Sequence, residues 1–166
     1  MIENNKNTHS ENTNGEILVG ISSCLLGEEV RFDTGHKHQS YITQTLGKYF
    51  TFHSFCPEMA IGLGTPRETL RLVKREDEIH CIGNKTATLD VTDRLKDNAR
   101  EQASWHRDLC GYILKKDSPS CGMERVRVYR NDMPERNGTG IYAQVLMDNF
   151  PHLPIEEEGR LGDPVL

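Results

Sequence analysis

Three apolar runs of strand length each end at a cysteine, and this arrangement limits the folds open to the chain more than any other feature. In EILVGISSCLLG, Ile17 to Ile21 reads as a strand that passes through small polar residues into Cys24. In YFTFHSFCPE the chain is extended from Tyr49 to Phe55 and then meets Cys56-Pro57, where the proline biases Cys56 away from helical geometry. In GYILKKDSPSCG a third run leads to Cys121. If these strands are parallel neighbours, three thiols converge beyond their carboxyl ends, where open α/β sheets bind ligands.

Helical patterns separate the runs. DVTDRLKDNAREQASWHRDL is the clearest, with Thr92 expected as its cap and Leu95, Ala99, Ala103 and His106 on one stripe. GTGIYAQVLMDNF gives a second, with Ile141, Val145 and Leu146 inward, and GHKHQSYITQTLGKYF a shorter one that stops near Gly47. LRLVKREDEIHCIG reads as a hairpin turning near Glu76-Asp77, and VRVYR as a short extended piece. Strands alternating with helices predict one α/β, Rossmann-like domain over residues 17–166, a right-handed βαβ arrangement around a mainly parallel sheet. GTGIYA is not expected to be a dinucleotide fingerprint: the third glycine is absent and no strand is expected directly before it.

Residues 1–16, polar and rich in Asn, lack the basic start and apolar centre of a signal peptide and read as a disordered leader. With that leader, an odd count of five cysteines argues for a reducing, cytoplasmic setting and against a disulfide framework. No apolar run is long enough to span a membrane. A formal net charge of −5 argues against indiscriminate nucleic-acid binding. It leaves room for a local basic groove from Arg67, Arg71, Lys115, Lys116, Arg125, Arg127 and Arg130, residues that otherwise form a solvated surface.

Cys24, Cys56 and Cys121 lie far apart in sequence, with no CxxC pair, unlike a zinc ribbon or knuckle. Three thiolates can hold zinc with an open fourth position, or an iron–sulfur cluster with one iron lacking a protein ligand. They can equally be small buried residues, the reading that suits Cys81 in the hairpin and Cys110 on the Trp105 helix. DSPSCG supplies a Ser and a Pro suited to a helix start, which would aim backbone N–H groups at Cys121. CPE places Glu58 close enough to act as a base beside a metal, with an ion pair to a nearby Arg as the competing role. FDTGHKH collects Asp33, His36, Lys37 and His38, either a capped polar loop or a contact to an anionic or polar substrate. A zinc or cluster protein without catalysis, structural or sensing, stays open on these residues. So does a thiol enzyme using Cys121 with His36 or His106 as its base.

SCLLGEEVRFDTGHK, CPEMAIGLGTPRETLRL, GYILKKDSPSCGMERVRVY and GIYAQVLMDNFPHLPIEEEGRLGDP, taken in order, resemble the thiouracil desulfidase family over residues 17–166. The PIEEEGRL ending is similar to the version that the family fuses to a C-terminal helical domain, in proteins acting on 4-thiouridine in tRNA; this chain would be a stand-alone form or a fragment of one. The resemblance implies a [4Fe-4S] cluster held by Cys24, Cys56 and Cys121, one iron having no protein ligand. It implies catalytic roles for Glu58 and a serine of SPSC, taken as Ser118 with Ser120 as runner-up. His36, Lys37, Arg67 and Ser120 become candidate substrate contacts. The implied reaction is redox-neutral cleavage of the C–S bond of a thiolated pyrimidine base, nucleoside or nucleotide, with tRNA as a further substrate.

Overall fold

The computed structural model describes residues 15–163 and 165, so all but the last two positions of the expected leader lie outside the described residues. Four strands, β1 (Ile17–Ser22), β2 (Phe50–Phe55), β5 (Gly111–Leu114) and β8 (Ile155–Glu157), form a wholly parallel sheet in the order β2-β1-β5-β8. The three strands that lead to cysteines are therefore immediate neighbours.

Alternation along these strands fills both faces of the sheet. Val19, Ile21 and Ile113 face a core completed by Leu25 and Ile42. Tyr112 and Leu114 face the opposite core, which contains Ala99, Tyr142, Ala143 and Leu146. Those last residues come from two helices, α2 (Thr92–Glu101) and α4 (Ile141–Asn149).

The remaining strands form a second sheet rather than extending the first. The hairpin β3 (Leu70–Arg75) and β4 (Glu78–Gly83) turns at Glu76-Asp77 as expected, and VRVYR becomes β6 (Val126–Arg130). With β7 (Met133–Gly138) they build a mixed sheet in the order β4-β3-β6-β7. The reason lies in its apolar face. Leu72, Cys81, Val126 and Val128 pack onto Val91 just before α2, onto Leu95 of α2 and onto Ile141 of α4, a separate core under the same helices.

Several expected details shift. β7 directly precedes the GTGIYA stretch, contrary to expectation, although it belongs to the mixed sheet and runs antiparallel to β6. Thr92 is the first helical residue of α2 rather than its cap: its N–H and hydroxyl both donate to Asp90 Oδ1, and its Oγ1 accepts from the Cys81 N–H. That helix ends at Glu101, and a separate turn, α3 (Ala103–His106), carries Trp105 and His106. Cys81 is fully buried, whereas Cys110 is exposed at the bend before β5 and is not a packing residue. Among the described residues no helix is long and apolar enough to cross a membrane.

Candidate functional site

The carboxyl ends of β1, β2 and β5 open into a cavity of about 370 Å3 lined by Cys24, Cys56 and Cys121. Each cysteine arrives by a different local device. Cys24 sits in a 3-10 turn (Ser23–Leu26) that follows β1 directly. Cys56 stays extended, at φ −122° and ψ 108°, because Pro57 opens the short helix α1 (Pro57–Ala60). Cys121 lies in the loop after β5, which leaves the sheet through Asp117 at φ 60°. Asp and Asn are among the few side chains that tolerate that left-handed region.

That loop is not the helix start expected of DSPSCG. Its residues form turns, and the carbonyls a helix would need are already occupied. Gly140 donates to the Gly122 carbonyl, Ile141 to Pro119 and Ala143 to Ser120, so the first turn of α4 consumes them. Within the loop, Ser118 Oγ accepts the N–H groups of Ser120 at 3.3 Å and Cys121 at 3.0 Å. The Cys121 N–H therefore serves the turn.

Gly140 is the closest point of this junction. A Cβ there would lie 2.5 Å from the Ser120 carbonyl carbon and oxygen and 2.8 Å from the Cys121 nitrogen, all backbone atoms. Gly140→Ala should therefore push the loop outward and lower stability by about 1–3 kcal/mol. A denaturation midpoint, read with the metal content of the purified protein, checks this.

Glu58, on α1, lines the cavity and is gripped on both sides. Arg67 Nε and Nη2 both donate to Glu58 Oε2, at 2.9 and 2.6 Å. Ser120 Oγ donates to Oε1 at 2.8 Å, and Ser118 Oγ stands 3.0 Å from Ser120 Oγ. With the Ser120 proton on Glu58, Ser118 is the donor of that last link. The result is a hydroxyl chain from half-buried Ser118, through Ser120 at 1% exposure, to a carboxylate oxygen.

The ion pair weighed for Glu58 is thus present, and it redefines Arg67. Its remaining N–H groups go to the carbonyls of Gly64 and Val30 and to the Met59 sulfur. Arg67 holds Glu58 and has little left to offer a substrate.

Of the other candidates, Lys37 lines the cavity with Lys115 and Lys116, whereas His36 is exposed and outside the lining, its Nδ1 accepting from the His38 N–H. His106 is buried against Tyr142, its Nε2 2.7 Å from the phenol oxygen. Neither histidine is placed to activate Cys121. Burial pushes the Cys121 thiol far up, with the Cys56 charge adding to the effect. Burial also raises Cys56, and it raises Cys24 to about 11.

Sequence reasoning missed Arg31, Phe32 and the pair Ser22-Ser23, all of which line the cavity. Ser22 Oγ accepts from the Lys115 N–H at 3.1 Å, tying the Cys24 segment to the Cys121 loop. The serines before Cys24 were the visible signal.

The three thiols share one cavity without closing on one point. Among the described residues, no three His, Cys, Asp or Glu side chains are gathered tightly enough for a single metal ion. A tetrahedral zinc needs its donors about 2.0–2.3 Å from a common centre. Three soft thiols on one cavity wall are a donor set that a zinc ion or an iron–sulfur cluster can take.

The sequence profile of the 2-thiouracil desulfurase family matches residues 19–158, a span that contains all three cysteines and both site loops. The chain belongs to this family. Among its relatives is an uncharacterized protein, YbbK, of Bacillus subtilis strain 168, 27% identical over 137 residues, covering 78% of this chain and 89% of that protein. A solved [4Fe-4S]-dependent thiouracil desulfidase, TudS, superposes with a TM-score of 0.68 at 28% identity, covering 88% of this chain and 93% of the other.

Proposed function

We propose that the chain is a thiouracil-type desulfidase that uses a [4Fe-4S] cluster, held by Cys24, Cys56 and Cys121, to convert a thiolated pyrimidine to its oxo form with release of hydrosulfide. The observation that carries this reading is the meeting, in one cavity of a chain of this family, of three thiols with a carboxylate–serine chain. The bound cluster would supply a soft Lewis acid for the thiocarbonyl sulfur at an iron without a protein ligand.

The remaining work falls to protein groups. Glu58 Oε2 already accepts two charged N–H bonds, which fix the carboxyl plane. Oε1 accepts one bond from Ser120 and keeps an acceptor position for a water proton. Glu58 removes that proton as the water oxygen attacks the ring carbon. Ser118, at the cavity end of the hydroxyl chain, passes a proton to the ring nitrogen as the C–S bond breaks, and Ser120 reloads it from Glu58. Protons and electrons balance without an external reductant: water and the thiolate form of the base, whose ring nitrogen carries no proton, give the oxo base and hydrosulfide.

Ser118 is therefore the serine that meets substrate, and Ser120 connects it to the base. Lys37, Lys115 and Lys116 around the cavity suit an electron-rich or anionic base, nucleoside or nucleotide.

Because burial holds the three thiols neutral, loading must displace their protons, and metal uptake should strengthen with rising pH. The same shift affects the iron-free protein. The folded Cys24 thiol sits near 11 against an ordinary value of 9.0, so its contribution is complete below about pH 9. It is lost as pH climbs towards 11, by about 3 kcal/mol in total. Urea melts at pH 7 and pH 10.5 should show a loss of stability to which the other buried thiols, Cys56, Cys81 and Cys121, also contribute, and a Cys24→Ser variant should show a smaller one.

The experiment that tests the proposal is anaerobic reconstitution with iron and sulfide, followed by metal analysis. About four irons with matching acid-labile sulfide per chain support it. Zinc at one equivalent, with no iron retained, would assign the thiols to a structural ion.

A further inference from the structure

The C-terminal triplet Glu156-Glu157-Glu158 contains two buried carboxylates that the chemistry above does not use. Glu157 is 7% exposed, and the Glu158 side chain 4%. Buried carboxylates carry a desolvation cost, and apolar residues of similar size usually stabilise such positions as well or better. Their contacts account for their presence. Glu157 Oε1 accepts the Met123 N–H at 2.8 Å. Glu158 Oε2 accepts the Lys116 N–H at 2.8 Å, and its Oε1 holds the Lys115 ammonium at 2.7 Å.

Lys116 and Met123 are the two stems of the loop that carries Ser118, Ser120 and Cys121. The backbone around the clamp is anchored as well: Glu157 pairs with Leu114 in the parallel ladder, and the Glu158 N–H donates to the Leu114 carbonyl at 3.2 Å. Two consecutive residues on one strand end thus reach opposite stems of one loop. Glu158 also fixes Lys115 on the cavity wall, where the ammonium's other contact is the Lys116 carbonyl at 2.9 Å.

We infer that Glu157 and Glu158 are positioning residues: a two-point clamp at the end of β8 that sets the Ser118–Cys121 loop at the distance from Cys24, Cys56 and Glu58 that the site requires. The inference rests on the proposed function for its catalytic consequence, but its structural core stands apart from it. Each carboxylate accepts a backbone N–H of the loop, and Glu158 holds the Lys115 ammonium as well.

Hydrogen exchange of the full-length iron-free chain reads the clamp directly. Glu157→Leu should speed exchange at Met123, and Glu158→Leu at Lys116, by about tenfold or more, with the amides of β1 and β5 unchanged. Glu157→Gln should restore protection at Met123, because an amide oxygen still accepts that N–H. Glu135→Gln, an exposed site with the same change of charge, should alter nothing. In reconstituted protein Glu157→Leu should lower kcat by about tenfold at unchanged KM. Unchanged exchange at both stems in a folded Leu variant, or acceleration spread evenly over the core strands, would overturn the clamp. If wild-type protein binds no iron and releases no sulfide, the functional reading fails, and the exchange result still decides the clamp.

Discussion

Glu58→Gln should lower turnover by about 100- to 10,000-fold in fully reconstituted protein, the range expected when a positioned base is removed. The substitution keeps the side chain's shape and an oxygen for Arg67, so Cys24, Cys56 and Cys121 stay where they are and iron content should be unchanged. What it removes is the acceptor at Oε1, where an amide N–H2 would now confront the Ser120 hydroxyl. Arg67, whose side chain is 8% exposed, also loses its only carboxylate partner among the described residues, at a cost of about 1–3 kcal/mol. Steady-state rates and iron content on the same preparation, with a thermal midpoint to show that the variant is folded, check both halves. Loss of the iron with the activity would make Glu58 a support of the metal site instead.

Cys121→Ser should have the opposite signature. Oxygen replaces a soft donor in a pocket that offers no other thiol among its lining residues beyond Cys24 and Cys56. Iron retention should collapse, and turnover should fall below detection with it. The two remaining cysteines provide the controls. Cys81→Ala, in the core of the mixed sheet, should cost about 1–2 kcal/mol and leave the iron content unchanged. Cys110→Ala, at an exposed bend, should change neither. Iron analysis across the four cysteine variants Cys121→Ser, Cys24→Ser, Cys81→Ala and Cys110→Ala separates ligand from bystander.

The positions of the three thiols were legible because each depends on local signals. Apolar runs mark β1, β2 and β5, and Pro57 marks where β2 must end. Their adjacency followed from supposing one parallel sheet, and the ladder pairs β1 with both others. The failures share a physical cause: they depend on partners distant in sequence. DSPSCG has a good helix start, but α4 reaches across and takes the carbonyls that a helix would need. MPERNG has almost no apolar character and becomes a strand because β6 supplies its hydrogen bonds.

The same distinction holds inside the site. CPE suggested a base, and the nearby arginines suggested a partner for it. Only the fold shows that Arg67 occupies one oxygen of Glu58 and leaves the other to Ser120. The sequence offered both serines of SPSC equally. Their separation into a half-buried Ser118 and a buried Ser120, both on the cavity wall, comes with the turn that Ser118 itself closes. His36 looked equivalent to Lys37 in FDTGHKH, yet only Lys37 reaches the cavity.

The central claim is that this cavity removes sulfur from a thiolated pyrimidine through a metal centre on its three cysteines. Sulfide released from 2-thiouracil and 4-thiouridine by the anaerobically reconstituted chain, assayed beside Cys121→Ser, tests it most directly. Hydrosulfide and oxo base should form in equal amounts with wild-type protein and not with the variant. Equal sulfide release from both proteins, or none from either substrate by iron-loaded wild type, would contradict the account.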